Sequence, residues 1–210
     1  MTLVRLSTAV RFSLSSAPEM AAPFSQMHIA DASADKCRAA EQRLIRAGGS
    51  PTAYIGVAEQ TAKDVVTRLN PSGLHFIFLD PFNLQALPFS VIKAFSRLKR
   101  VDMLIHLSAQ DLQRNLGRYI QAGDRLECFA PGWRDAVRLD QSQRAIRAGI
   151  LSHWASENRA LGLPPAKHAE LVSGTTKNQR LYWLIFVGRH ELANQFWDKI
   201  RSPGGQGQLI

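Results

Sequence analysis

The chain has 210 residues, of which 45% are hydrophobic and 20% are charged; this composition indicates one globular domain and excludes a disordered or fibrous chain. No apolar run reaches the roughly 20 residues that a membrane span needs, and the two cysteines, Cys37 and Cys128, form neither a disulfide framework nor a zinc-binding pattern. The formal net charge of +9 favours an anionic partner such as nucleic acid, although a solvated basic surface explains it equally well.

The N-terminal segment contains two arginines, Arg5 and Arg11, and several serines, but no acidic residue before Glu19. Transit peptides share this composition. Arg11 interrupts the apolar stretch, however, and no small-residue cleavage site follows it. We therefore expect an ordinary bacterial protein of the cytoplasm.

A strand, a helix and a second strand are predicted next. The short run Gln26–Ala30 ends at Asp31, and either Asp31 or Ser33 can cap the helix that covers about residues 36–45. A turn rich in glycine and proline ends this helix. The strand that follows covers residues 53–57 and leads into a helix with apolar residues at helical spacing.

Two further strands carry the strongest apolar signal in the chain. Leu74–Leu79 is apolar throughout except for His75, as expected for a strand that is covered on both faces. Val101–Leu107 has a similar character and contains His106. Helices are predicted at Phe89–Leu98, Gln110–Ile120, Gln141–Leu161 and Glu191–Ile200.

This alternation predicts a doubly wound, mostly parallel Rossmann-like α/β sheet with helices on both faces. The last two strands, near residues 170–172 and 181–187, are joined by a loop and not by a helix, which predicts an antiparallel C-terminal edge. We expect the domain to cover residues 25–200. Residues 1–24 are expected to be an N-terminal remnant or arm, and residues 201–210 a flexible tail.

The best candidate for chemistry is Asp80-Pro81-Phe82, directly after the strong strand that ends at Leu79. Ligands of open α/β sheets bind at the carboxyl ends of the strands. An acid followed by proline and an aromatic ring offers a carboxylate, a fixed turn and a stacking surface. The segment resembles the Asp-Pro-Pro-Tyr loop of amino-methyltransferases, which implies that the acid accepts hydrogen bonds from a target amine. The alternative is that Asp-Pro simply forms a good turn.

Two more acids follow predicted strands and are candidates for binding a cofactor. Asp31 stands where Rossmann-like folds place an acid for ribose hydroxyls, but a helix cap explains it equally well. Glu59 can face an adenine edge. The preferred explanation, however, is that Glu59 is an acid at a helix N-terminus, where the helix dipole favours a negative charge. The six histidines show no metal-ligand spacing, and we interpret His75 and His106 as core residues.

Three stretches resemble the three-Cys-motif partner (TcmP) family, in order from about Ser7 to Ile200. They are Phe78–Phe82, then Val101–Ser108 with Asp111–Asn115, and finally Tyr182–Leu192 through Phe196 and Trp197. The resemblance implies a methyltransferase-type Rossmann domain that binds S-adenosylmethionine. It also implies a three-Cys-motif protein, encoded nearby, as a partner.

The chain departs from this family at its beginning. Members start with a strand and a glycine-rich loop, whereas the first glycine here is Gly48. Such a loop lets a cofactor approach the backbone closely. We therefore expect the first, central strand to be missing and the chain to be a fragment; the alternative is that Thr2–Leu6 fills the gap as a makeshift strand.

Three functions remain open at this point. The first is a methyltransferase homologue that acts on nucleic-acid bases, with Asp80, Pro81 and Phe82 at the target amine and Asp31 and Glu59 at the cofactor; the truncated chain itself is expected to be inactive. The second is a non-catalytic module that binds a protein or nucleic acid. A metal-dependent nuclease that uses Asp80 ranks last, because no second acid stands at a suitable spacing.

Overall fold

A computed structural model describes residues 2–7, 24–122, 124–167, 169–173, 180–200 and 206–207 of the chain. The strands are β1 (Thr2–Ser7), β2 (Gln26–Asp31), β3 (Pro51–Ile55), β4 (His75–Asp80), β5 (Val101–Ser108), β6 (Ala169–Ser173), β7 (Arg180–Gly188) and β8 (Gln206–Gly207). The helices are α1 (Ala34–Arg46), α2 (Ala58–Arg68), α3 (Phe89–Phe95), α4 (Ala109–Gln121), α5 (Asp124–Glu127), α6 (Trp133–Ala136), α7 (Gln143–Ala160) and α8 (Glu191–Ile200). A 3-10 turn covers Leu84–Ala86.

The described strands form one sheet in the order β3-β2-β1-β4-β5-β7-β6-β8. The five strands from β3 to β5 run parallel to one another. Strand β7 is antiparallel to both β5 and β6, and β8 is antiparallel to β6. The predicted α/β class, with a parallel sheet and an antiparallel C-terminal edge, is confirmed.

The central position of the sheet is occupied by β1. Thr2–Ser7 pairs with β2 on one side and with β4 on the other, so that Leu6 lies opposite both Ala30 and Leu79. The prediction of a missing first strand is therefore wrong, because Thr2–Ser7 fills the central position. The physical reason is that β2 and β4 each present a row of backbone groups that need partners. The arm predicted for the rest of residues 1–24 lies outside the described residues, apart from residue 24.

Serine side chains fix the start of three helices. Ser33 accepts a hydrogen bond from the backbone N–H of Lys36 at the start of α1. Ser108 and Ser142 cap α4 and α7 in the same way. A serine cap satisfies one of the N–H groups that the first helical turn leaves without a partner. These caps place the ends of β2 and β5 directly before helices, at the edge where the site lies.

Helices cover the sheet and enclose a core that is rich in aromatic residues. Trp133, Trp154 and Phe129 are fully buried, and the rings of Phe129 and Trp154 stack with centroids 5.6 Å apart. Between α4 and α7 the chain forms two short helices, α5 and α6, joined by turns. None of the helices in the described ranges is both long and apolar enough to cross a membrane. The predicted flexible tail, 201–210, lies outside the described residues except for β8.

Candidate functional site

A cleft of about 370 Å³ opens at the carboxyl ends of β2, β3 and β4. The five residues that the sequence put forward all line it: Asp31, Glu59, Asp80, Pro81 and Phe82. The rest of its wall is mostly apolar and comes from the start of α2, the 3-10 turn and the start of α3. This is the edge at which open α/β sheets bind ligands. The structure thus brings the candidate residues together, while their individual roles remain predictions.

Asp31 is the last residue of β2 and is only 7% exposed. Its Oδ1 accepts a hydrogen bond from the backbone N–H of Ser33 at 2.7 Å. The cap of α1 is Ser33, so Asp31 instead closes a tight turn of the Asx kind. Its backbone carbonyl also accepts the N–H of Gly56 at 3.1 Å, which ties the ends of β2 and β3 together. The carboxylate is therefore held in one orientation on the cleft wall.

The start of α2 forms the second wall of the cleft. Glu59 lies in the first turn of α2, where the helix dipole favours an acid. Its side chain is 47% exposed, and its Oε1 lies 3.6 Å from Nζ of Lys63. Val57 and Ala58 add apolar surface beside it. A Cβ at Gly56 would lie 3.2 Å from Cγ2 of Thr61, so the turn packs tightly on the helix.

Asp80 ends β4 and is 5% exposed. Its Oδ1 lies 2.8 Å from Nδ1 of His106, a residue of the neighbouring strand β5. The direction of approach is not that of a well-formed hydrogen bond, because Nδ1 has no partner with acceptable angles. The short distance nevertheless places an imidazole directly against a buried carboxylate. The cleft thus contains a carboxylate whose environment is set by a histidine behind it.

The sequence reasoning assigned His106 to the core and did not predict its contact with Asp80. The imidazole is 19% exposed and packs edge-on against the ring of Tyr182, with centroids 4.1 Å apart. His75, in contrast, is fully buried at the opposite end of β4, and its Nε2 lies 2.8 Å from the carbonyl of Asn70. The core interpretation is therefore confirmed for His75 alone. The available signal was that Asp80 and His106 both stand near the carboxyl ends of strongly apolar strands.

Asp111, in the first turn of α4, anchors the loop after β4. Oδ2 of Asp111 accepts hydrogen bonds from the N–H of Leu84 at 3.0 Å and from the hydroxyl of Tyr119 at 2.6 Å. Its Oδ1 accepts one from Nδ2 of Asn115 at 2.7 Å. The ring of Phe82, two residues before Leu84, is nevertheless 69% exposed. The loop is thus fixed while its aromatic side chain remains available at the mouth of the cleft.

No group of three or more histidine, cysteine, aspartate or glutamate side chains that could hold a metal ion occurs within the described part of the chain. Two of the three carboxylates of the cleft, Asp31 and Asp80, stand on β2 and β4, which lie on opposite sides of the central strand β1. The arrangement can accept hydrogen bonds from a ligand at two points and can cover an apolar or planar group between them.

The fold is similar to that of solved structures. The O-methyltransferase TomG from Streptomyces achromogenes, solved in complex with SAM, is 14% identical; the match covers 90% of this chain and 73% of that one, with a TM-score of 0.50. Cofactor-bound Rv0187 from MTB is 18% identical, with coverages of 90% and 73% and a TM-score of 0.49. The chain spans only 47% of the citrinin polyketide synthase CMeT domain, at a TM-score of 0.44 and 13% identity.

The similarity to TomG shows that the chain has a methyltransferase-like Rossmann fold. No family model matches the sequence. No curated protein matches it either.

Proposed function

We propose that the cleft binds the adenosyl part of S-adenosylmethionine and that the chain is a methyltransferase-type domain related to the three-Cys-motif partner proteins. The observation that carries the proposal is the carboxylate of Asp31, which is buried and oriented at the wall of an apolar cleft. A carboxylate at the end of this strand is suited to accept both hydroxyl groups of a ribose. The similarity to TomG supports the fold that this proposal assumes.

The size and lining of the cleft agree with an adenosyl group. Its volume of about 370 Å³ lies within the range of roughly 300–1,000 Å³ that is usual for small-molecule sites. Val57 and Ala58 provide an apolar surface for a planar ring on the side of α2. Glu59 lies beside them in the first turn, where it can accept from an adenine amine. When bound, the cofactor supplies the methyl group that is transferred.

We further propose that the target is the amino group of a nucleic-acid base. Asp80 offers an acceptor for N–H donors, and Pro81 holds the turn that presents it. The exposed ring of Phe82 can stack on a base that has left its helix. The net charge of +9 favours a polyanionic substrate.

A second candidate is a non-catalytic module that binds nucleic acid or a three-Cys-motif protein. It is favoured by the absence of glycine before Gly48, because the segment after β1 then lacks the residues that let a cofactor approach the backbone. On either proposal we expect the chain, as it stands, to transfer methyl groups poorly or not at all. The two candidates differ in whether the adenosyl group binds.

Calorimetric titration with S-adenosylhomocysteine tests the proposal. The variants are Asp31→Asn and a matched control, Asp35→Asn, which removes an exposed carboxylate of α1 that pairs with Arg38 outside the cleft. We expect binding to fall at least about tenfold in Asp31→Asn, since a carboxylate that accepts from two hydroxyl groups contributes more than 1.4 kcal/mol. The control should bind like the wild type.

The same titration on a variant that carries the family's glycine-rich loop directly after β1, at the carboxyl edge of the sheet, separates the two candidates. Tighter binding by this variant, with the same loss in Asp31→Asn, supports the cofactor proposal. If neither form binds, the partner-module candidate leads, and its nucleic-acid binding should weaken steeply as salt is raised. Equal binding by Asp31→Asn and the wild type would show that Asp31 does not hold the ribose.

A further inference from the structure

The carboxylate of Asp80 contacts the imidazole of His106, and the register of β4 against β5 explains this contact. Leu79 of β4 pairs with Ile105 of β5, so the next residue on each parallel strand, Asp80 and His106, is brought to the same level. The contact of 2.8 Å between Oδ1 and Nδ1 follows from this pairing. It therefore depends on the backbone of two central strands and not on a flexible side-chain arrangement.

The imidazole is held in place by its surroundings. The ring of Tyr182, from β7 on the far side of β5, meets it at 90° with a centroid distance of 4.1 Å. Nε2 of His106 is buried and has no hydrogen-bond partner among the described residues. Within the described part of the chain, the polar contact of the ring is thus with the carboxylate of Asp80, a residue of the cleft wall.

A buried carboxylate is costly unless a donor or a positive charge compensates it. His106 can do so in either protonation state, as a neutral donor through Nδ1–H or as a cation. Asp80 is then kept as an acceptor, and the oxygen nearest to His106 is fixed. Asp80 is also one of the residues that line the cleft.

We propose that His106 is a positioning residue that acts through Asp80, holding its carboxylate on the cleft wall so that it accepts N–H donors of a target base. The inference rests on the proposed function for the identity of the target. It adds that the recognised bases are those that carry an exocyclic amine, namely adenine, cytosine and guanine, whereas thymine has none.

Nuclear magnetic resonance tests both parts without requiring activity. The ¹⁵N resonances of His106, recorded above the ordinary histidine titration range, report which ring nitrogen carries the proton. The carboxyl ¹³C resonance of Asp80 is then followed as single-stranded oligonucleotides are added, one of adenine and cytosine and one of thymine only. The variants are His106→Leu, His106→Asn and the control His190→Leu, which changes an exposed histidine outside the cleft.

We expect the proton on Nδ1, and a response of Asp80 to the adenine and cytosine strand but not to the thymine strand. The response should be lost in His106→Leu, restored in His106→Asn, whose amide can donate near the position of Nδ1, and unchanged in His190→Leu. A proton on Nε2, or a normal response in His106→Leu, would overturn the positioning role and leave the proposed function intact. If Asp80 responds to neither strand in a wild type with the proton on Nδ1, the amine target is wrong, and the role given to His106 falls with it.

Discussion

Replacing Asp111 by alanine should destabilise the domain through the loop that follows β4. The carboxylate accepts hydrogen bonds from three donors: the N–H of Leu84, the hydroxyl of Tyr119 and the amide of Asn115. Leu84 and Tyr119 are buried, so their donors have little access to water once the carboxylate is gone. A buried donor that is left without a partner costs about 1–3 kcal/mol. Two such donors predict a loss of about 2–6 kcal/mol in the free energy of unfolding.

Urea unfolding, followed by tryptophan fluorescence, measures this loss as a shift of the midpoint at unchanged slope. Tyr119→Phe removes only one of the three bonds and should cost about 1 kcal/mol. Asp64→Ala is the matched control, because Asp64 is exposed on α2 and accepts one hydrogen bond from Gln60; it should stay within about 0.5 kcal/mol of the wild type. A value for Asp111→Ala as small as that of the control would refute the view that Asp111 anchors the loop.

Three further predictions concern stability. Gly188→Ala should lower the melting temperature slightly, at a cost of about 1 kcal/mol, because the new Cβ would lie 2.7 Å from Oδ1 of Asp102, which can rotate away, and 3.0 Å from Cε1 of Phe186; an unchanged melting temperature would contradict this packing. Burial raises the pKa of Asp102, with His190 acting in the opposite direction, so the ionised form of Asp102 opposes folding. The stability of the wild type should therefore fall as pH rises above the ordinary aspartate range. Asp102→Asn should remove this loss and raise the free energy of unfolding at neutral pH. Burial lowers the pKa of His28, with smaller electrostatic contributions from Arg68 and His75 in the same direction, so the unfolded state takes up a proton that the folded state resists. Stability should therefore fall as pH drops below the ordinary value of 6.5, and His28→Asn should flatten this dependence in denaturation curves at several pH values.

The parts of the fold that the sequence predicted are those encoded in local patterns. The apolar run of β4 and the candidate cap Ser33 before α1 are visible without knowledge of their neighbours. Asp31 and Asp80 were found for the same reason, since each directly follows a predicted strand. Because parallel strands end at one edge of the sheet, two such acids come together without any further information.

The features that the sequence did not predict depend on pairing between distant segments. The contact of Asp80 with His106 requires the register of β4 against β5, which no local pattern specifies. The role of Asp111 depends on a loop that is 27 residues away in sequence. Strand β1 was judged absent because its short run lacks the glycine loop of the family, yet backbone pairing alone places it at the centre of the sheet.

The central claim, that the cleft recognises an adenosyl group, is tested most directly by calorimetry with two ligands. One is S-adenosylhomocysteine, and the other is 5′-methylthioadenosine, which keeps the adenosyl group and lacks the amino-acid part. Because this chain has no glycine before Gly48 to receive the amino-acid part, we predict that both ligands bind with affinities within about tenfold, a difference of 1.4 kcal/mol or less. Absence of binding by 5′-methylthioadenosine would contradict the claim.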